Sequence, residues 1–194
     1  YVITITGPSR AGKSTTVDYF RKFTKKDFKP ELVRKHTTRP PREYDRDCIA
    51  EGIPPECDLV YEQYGERYGL ELQTLIDHLA EGRSPIVILN DVRAVEDIRN
   101  TFSERVRSIF IFRQDPLSED YHQELIDSRG EEAGEIRFEK ARTIYRIYIE
   151  NIQLFDHVII NSGTLDELET QVRQVIRSLE EDQAKFGVNG GKTI

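Results

Sequence analysis

The 194-residue chain predicts an α/β fold, a mainly parallel sheet with helices on both faces. Short β-branched or apolar runs, Val2–Thr6, Ile86–Leu89, Val106–Phe112 and His157–Asn161, carry most of that prediction. They are close to continuous rather than alternating, as expected of strands covered on both sides. Stretches of helical spacing separate them, so consecutive strands are joined by crossovers and run parallel. In such sheets ligands bind beyond the carboxyl ends of the strands, and both Gly7 and Asp91 follow strand ends.

In chain order, Val2–Thr6 leads into a glycine-bounded loop, and Thr15 to Phe23 has helical spacing with Val17, Phe20 and Phe23 on one face. Lys25, Lys26 and Asp27 break that pattern, and Pro30 resets the chain. Leu32-Val33 then enters the most basic segment, Arg34 to Arg42, and Glu43 to Pro55 is irregular and polar. Leu59-Val60-Tyr61 and Arg67-Tyr68-Gly69-Leu70 flank Gly65-Glu66 as two short strands and a turn. Leu72 to Ala80 is helical and stops at Gly82. Val92 to Phe102 and Ser118 to Ser128 are helices, the second with Ser118 as N-cap and Glu119 and Asp120 in its first turn. Arg129 to Glu135 reads as a mobile, glutamate-rich connector, and Ile136 to Phe155 as a long helix whose Tyr145 and Tyr148 face the core. Thr164 to Lys185 closes the fold as an amphipathic helix, and Gly187 to Ile194 reads as a flexible tail.

The first loop supplies the strongest chemical signal. Gly7-Pro8-Ser9-Arg10-Ala11-Gly12-Lys13-Ser14 is G-x-x-x-x-G-K-S, placed between a strand and a helix as a phosphate-binding loop requires. Glycines at both ends allow backbone dihedrals that turn successive N–H groups toward phosphate oxygens. The helix that follows aims the positive end of its dipole at the same anion. Lys13 would reach the β- and γ-phosphates of a nucleotide, and the Ser14 hydroxyl would help hold Mg²⁺. In the basic segment, Pro40-Pro41 stiffens the backbone between Arg39 and Arg42. Two guanidinium forks held in this way suit a phosphate monoester.

Composition narrows the partners. A net charge of −7 excludes nucleic-acid binding through broad electrostatics but not a small anion in a local basic pocket. The two cysteines, Cys48 and Cys57, match neither a disulfide framework nor zinc spacing. No apolar run reaches membrane-spanning length, so the expectation is a cytoplasmic protein without membrane contact.

These residues resemble guanylate kinase. The resemblance runs through Gly7-Pro8-Ser9 with Gly12-Lys13-Ser14-Thr15, and through His36-Thr37-Thr38-Arg39-Pro40-Pro41-Arg42 and Tyr68-Gly69. It continues in Asp91-Val92, Ser128-Arg129-Gly130-Glu131, Arg137-Phe138 with Ala141, and Phe155 to Asn161. It implies a P-loop nucleoside-monophosphate-kinase fold over residues 1–186, with a five-stranded parallel core. It also implies an acceptor-binding subdomain at about 34–72 and a lid at about 114–137. The implied reaction moves the γ-phosphoryl group of Mg-ATP to a nucleoside monophosphate, GMP first. Lys13, Arg129 and Arg137 would act on the transferring group, and Gly7 through Thr15 with Asn161 would hold ATP. Lys35, Arg39, Arg42, Tyr68 and Asp91 would stand at the acceptor. Asp91 reads either as the cap of the next helix or, with Ser14, as a water-mediated contact to Mg²⁺.

The chain departs from the family at the acceptor base. Lys35 stands where the family has a serine, and the position of the guanine-reading glutamate falls on Leu59, with Asp58 and Glu62 nearby. Leu89 replaces the first strand-end acid, and the lid is shorter between its arginines. Two further readings keep the fold. One changes the acceptor to another nucleotide or to ribose 1,5-bisphosphate, as in the related ribosyl-bisphosphate kinases. The other is a non-catalytic interaction module, whose phosphate loop would be degraded, whereas Lys13 and Ser14 are in place here.

Overall fold

The computed structural model describes residues 1–41, 45–63, 65–113, 118–161 and 163–189, without the side chains at 128, 129, 147 and 186–189. Two sheets organise it. The larger has five parallel strands in the order β2-β7-β1-β8-β9: β1 (Val2–Thr6), β2 (Lys29–Leu32), β7 (Arg83–Ile88), β8 (Val106–Phe112) and β9 (His157–Ile160). The smaller has the order β4-β3-β6-β5, from β3 (Lys35–Thr37), β4 (Cys48–Ile49), β5 (Leu59–Gln63) and β6 (Glu66–Leu70). The helices are α1 (Lys13–Phe23), α2 (Leu72–Ala80), α3 (Val92–Phe102), α4 (Glu119–Arg129), α5 (Glu131–Glu150) and α6 (Leu165–Asn189). Two single-turn 3₁₀ segments, Ser103–Arg105 and Ile152–Leu154, join helices to strands.

Every residue of β1 is buried, and the large sheet is covered on both faces. Ile3, Ile5, Ile86 and Ile109 pack with Val17 and Phe20 of α1 and with Leu168, Val172 and Leu179 of α6. Val2, Val87 and Leu89 pack the opposite way, against Val95 and Ile98 of α3 and Leu70 and Leu75 at the small sheet. That two-sided cover explains the uninterrupted apolar runs. The described helices include none long and apolar enough to cross a membrane.

Several boundaries differ from the sequence reading. β2 contains Pro30 and lies at the edge of the sheet, where the missing proline N–H leaves no ladder bond broken. β7 begins at Arg83, because Ser84 and Pro85 pair only with β2 before the ladder to β1 starts at Ile86. The segment expected to be irregular contains β4, a two-residue strand held by parallel pairing to β3. The connector expected to be mobile is mostly helix: only Gly130, at φ +85, interrupts it, and Glu131 and Glu132 start α5 where carboxylates complement the helix dipole. α5 ends at Glu150 rather than Phe155, and α6 continues to Asn189, into the segment read as a tail.

α4 and α5 form a helical hairpin over the carboxyl end of the large sheet. Ser118 caps α4 by accepting from the Tyr121 N–H at 3.0 Å. Tyr121 and Leu125 of α4 pack on Ala141 and Phe138 of α5. Further along α5, Tyr145 and Tyr148 close over Phe110 and Phe155. At the open edge of β9, the Gln171 amide of α6 accepts from the Ile160 N–H at 2.9 Å and donates to its carbonyl at 2.8 Å.

Candidate active site

The loop after β1 is built for an anion. A Cβ on Gly7 would lie 2.7 Å from the Ile111 carbonyl oxygen of β8, so only glycine lets the loop leave the sheet there. Gly12 has φ +95 and Arg10 φ +60, left-handed conformations that turn the chain back on itself. No side chain caps α1 and no acid occupies its first turn, which leaves its first amides directed at the loop. Lys13 folds over that loop, and its Nζ donates to the Gly7 and Pro8 carbonyls at 2.8 and 2.6 Å. Burial lowers its pKa to about 8, with Lys35 and Arg137 pushing the same way and Asp47 opposing them. Ser14 is exposed on the first turn of α1 and Thr15 is half-buried beside it.

Neighbouring strands hold the loop in shape. Asn161, just past β9, donates from Nδ2 to the Ala11 carbonyl at 2.9 Å, and that nitrogen also lies 2.9 Å from where a Gly12 Cβ would be. The structure therefore places Asn161 as a clamp on the phosphate loop. With its amide nitrogen turned toward the carbonyls, Asn90 after β7 donates to Gly7 at 2.9 Å. The α4–α5 hairpin touches the same loop: Tyr121 donates its hydroxyl to the Ser9 carbonyl at 3.0 Å. Arg137 of α5 donates to Ser9 Oγ at 3.4 Å, and Arg10 donates to the Glu124 carbonyl of α4 at 3.3 Å.

Across the cleft, the small sheet supplies further cations. Lys35 is only 5% exposed, and its Nζ donates to Asp47 Oδ2 at 2.7 Å and to the Ile88 carbonyl at 2.8 Å, tying β3 to the end of β7. Burial opposes its charge, but the facing Tyr61, Asp47 and Cys48 groups outweigh burial and raise its pKa. Burial likewise opposes the Asp47 carboxylate, and Lys35 overrides it, so the acid is held below the usual range. The pair is therefore ionic. Arg39 is buried as well: its Nη2 donates to Asp45 Oδ1 at 2.7 Å and its backbone N–H to Thr37 Oγ1 at 3.1 Å. Tyr68 stacks on Tyr61 with centroids 5.4 Å apart, and the Lys35 Nζ lies 5.8 Å from its ring.

Lys13, Lys35, Arg39, Tyr68 and Arg137 all line one cleft of about 410 Å³, together with Lys140, Asp47 and Glu66. Asp91 does not join them. Its Oδ1 accepts from the Ala94 N–H at 2.9 Å as the N-cap of α3, and it borders an adjoining groove with Glu62 and Glu139. Arg42 and the Arg129 side chain lie outside the described residues. Leu59 is buried in the core and Asp58 accepts from the Leu72 N–H at the start of α2, so neither reaches the cleft. Sequence reasoning missed Asp45, Asp47, Gln63, Asn90 and Tyr121. They meet the site only through tertiary contacts, such as the 2.9 Å bond from Gln63 Nε2 to the Asn90 carbonyl. Ser118 with two acids after it did mark the start of α4, but no periodicity marks Tyr121 as a loop contact.

The donor set fits a nucleoside triphosphate: uncapped helix amides, a half-buried lysine and a hydroxyl one residue on. Among the described residues, Asp45, Asp47 and Cys48 bring ligand atoms within 4.8 Å of one another. They do not read as a metal centre, because Arg39 and Lys35 already engage both carboxylates.

No protein-family model matches the chain. The ribose 1,5-bisphosphate phosphokinase PhnN of Brucella melitensis biotype 2 (strain ATCC 23457) is 32% identical to it over 142 residues, which covers 69% of this chain and 70% of that protein. The protein of the same name from Brucella abortus biovar 1 (strain 9-941) matches to the same extent, at 32% over 142 residues. A crystal structure of guanylate kinase from Anaplasma phagocytophilum superposes with a TM-score of 0.62 at 18% identity, over 94% of this chain and 85% of that one. At that identity the second likeness speaks to the fold alone.

Proposed function

We propose a function from one premise: the chain belongs to the guanylate-kinase-like P-loop kinases, the family of its ribose 1,5-bisphosphate phosphokinase relatives. It transfers the γ-phosphoryl group of Mg-ATP to a small phosphorylated acceptor, with ribose 1,5-bisphosphate placed ahead of GMP. The observation that carries this reading is Lys35, a buried ammonium beside Arg39 in the cleft that Lys13 enters from the other side.

The residues divide the work. Lys13 exchanges the Gly7 and Pro8 carbonyls for the β- and γ-phosphate oxygens, alongside the α1 amides and the loop from Gly7 to Thr15. The Ser14 hydroxyl would help hold Mg²⁺, which would supply charge neutralisation at the phosphates. Lys35 and Arg39 grip the acceptor's phosphate, and Arg42 is assigned the same work from its place in the sequence motif. Arg137, which reaches the loop at Ser9, acts on the transferring group, where such arginines are worth roughly 10³–10⁵ in rate, and Arg129 is assigned the second such charge from its place in the sequence. The bond from the γ-phosphorus to its bridging oxygen breaks, ADP leaves with that electron pair, and an acceptor phosphate oxygen forms the new bond. That oxygen is already ionised at neutral pH, so no general base is needed.

Guanine presents N–H groups that need a buried acceptor, and leaving a polar group unpaired there costs about 1–3 kcal/mol. Asp58 and Leu59 are turned away from the cleft, and a lysine occupies the place of a neutral hydroxyl. GMP stays the second reading because Glu66 lines the cleft, its carboxylate accepting from Thr38 Oγ1 at 3.1 Å. An ADP-release assay across ribose 1,5-bisphosphate, GMP, dGMP and other phosphate esters tests the choice. Turnover is expected with the sugar bisphosphate, and turnover confined to GMP and dGMP would overturn it.

A further inference from the structure

The acceptor end of the cleft carries its own pair of anions. Asp45 accepts from Arg39 at 2.7 Å and Asp47 from Lys35 at 2.7 Å, and oxygens of the two carboxylates lie within 4.8 Å of each other. Both side chains are largely withdrawn from solvent, at 13% and 29% exposure. A phosphate monoester near neutral pH likewise brings close to two negative charges and several strong acceptor oxygens. The two carboxylates thus present to Arg39 and Lys35 what the phosphate of an acceptor would present.

We infer that Asp45 and Asp47 are specificity-determining residues that stand in for the acceptor's phosphate, yielding Arg39 and Lys35 only to a dianion. The inference rests on the reading that these two cations receive the acceptor. Uncharged sugars, nucleosides and monoanionic esters offer too little charge to displace both carboxylates, whereas a dianionic phosphate replaces both on the same two cations. Asp47 stays tied through its carbonyl, which accepts from the Lys35 N–H at 3.1 Å, so its carboxylate yields by rotation of the side chain, while the Asp45 end of the segment is more weakly held. Arg46, between them, is fastened to Asp18 of α1 by bonds of 2.9 and 2.5 Å, but both side chains are nearly half exposed, and an ion pair in that setting holds weakly. Asp47 also faces Lys13 and so acts on the donor half. Asp45 is therefore the cleaner probe.

The experiment measures inorganic phosphate binding by calorimetry with the P-loop filled by ADP, in the unmodified protein and in Asp45→Asn, Asp47→Asn and Arg39→Ala. Asp45→Asn is expected to bind phosphate about tenfold more tightly and to lower the acceptor KM similarly, as expected on removing one like charge from a desolvated site. Asp47→Asn should move phosphate affinity in the same direction, and undiminished ADP affinity reports that each variant is folded. Phosphate binding that needs Arg39 but is unchanged or weaker in both asparagine variants would overturn this inference alone, since a purely structural role for the acids predicts that sign. Phosphate bound equally well by Arg39→Ala would overturn the acceptor assignment and this inference with it.

Discussion

Lys13 is a cation buried among the carbonyls of its own loop, with a pKa brought down to about 8 chiefly by burial. Its ordinary value is 10.5, so between about 8 and 10.5 the unfolded chain holds a proton that the folded one has released. Burying this charge therefore costs stability in full below pH 8, and the cost is relieved as pH rises toward 10.5. Polyphosphate favours the charged lysine and raises its pKa again. Near pH 8, ATP binding is expected to take up part of a proton, and ATP affinity to fall as pH climbs above that value. Calorimetry in two buffers of different ionisation enthalpy reads the uptake directly. Equal heats in both buffers would contradict it, and Lys13→Ala should lose the pH dependence along with phosphotransfer.

Among the elements, the α4–α5 hairpin is the one whose position controls the loop. The Tyr121 hydroxyl bonded to the Ser9 carbonyl at 3.0 Å is a direct tie between that hairpin and the P-loop. Tyr121→Phe removes about 1 kcal/mol of hydrogen bonding while keeping the ring packed on Leu125 and Phe138. We expect ATP KM to rise about fivefold at nearly constant Tm. A large fall in Tm with KM unmoved would show that the tyrosine serves packing alone. The elements also mark what was legible beforehand. β1, β7, β8 and β9 could be read because cover on both faces leaves apolar runs, and the P-loop because its geometry demands fixed residue types. β2 was hidden by Pro30 at an edge, and β4 because two residues carry no period of their own. The cleft cations Lys35 and Arg39 were visible as a basic run. Their partners Asp47 and Asp45 were not, since only the fold decides which acid faces which base.

At the scale of the whole molecule, one ring joins the large sheet to α5. Phe110 is fully buried in β8 and meets Tyr148 at 5.0 Å and Phe155 at 5.3 Å between ring centroids, with Tyr145 at 6.3 Å. Phe110→Ala should cost roughly 3–5 kcal/mol in chemical denaturation. Because the same rings anchor α5, it should also weaken ATP binding; a loss below 1 kcal/mol would mean that the cluster contributes little. The far side of the sheet raises a different matter. β9 is an outer strand, and its own Val158 and Ile160 are 45% and 48% exposed. An apolar outer strand with free backbone groups is a template on which another chain can add a strand. Gln171 fills that place with a side-chain amide, satisfying both backbone groups of Ile160 as a neighbouring peptide would. The molecule thereby supplies its own terminal rung to the ladder, and one glutamine denies the Ile160 backbone groups to an incoming strand.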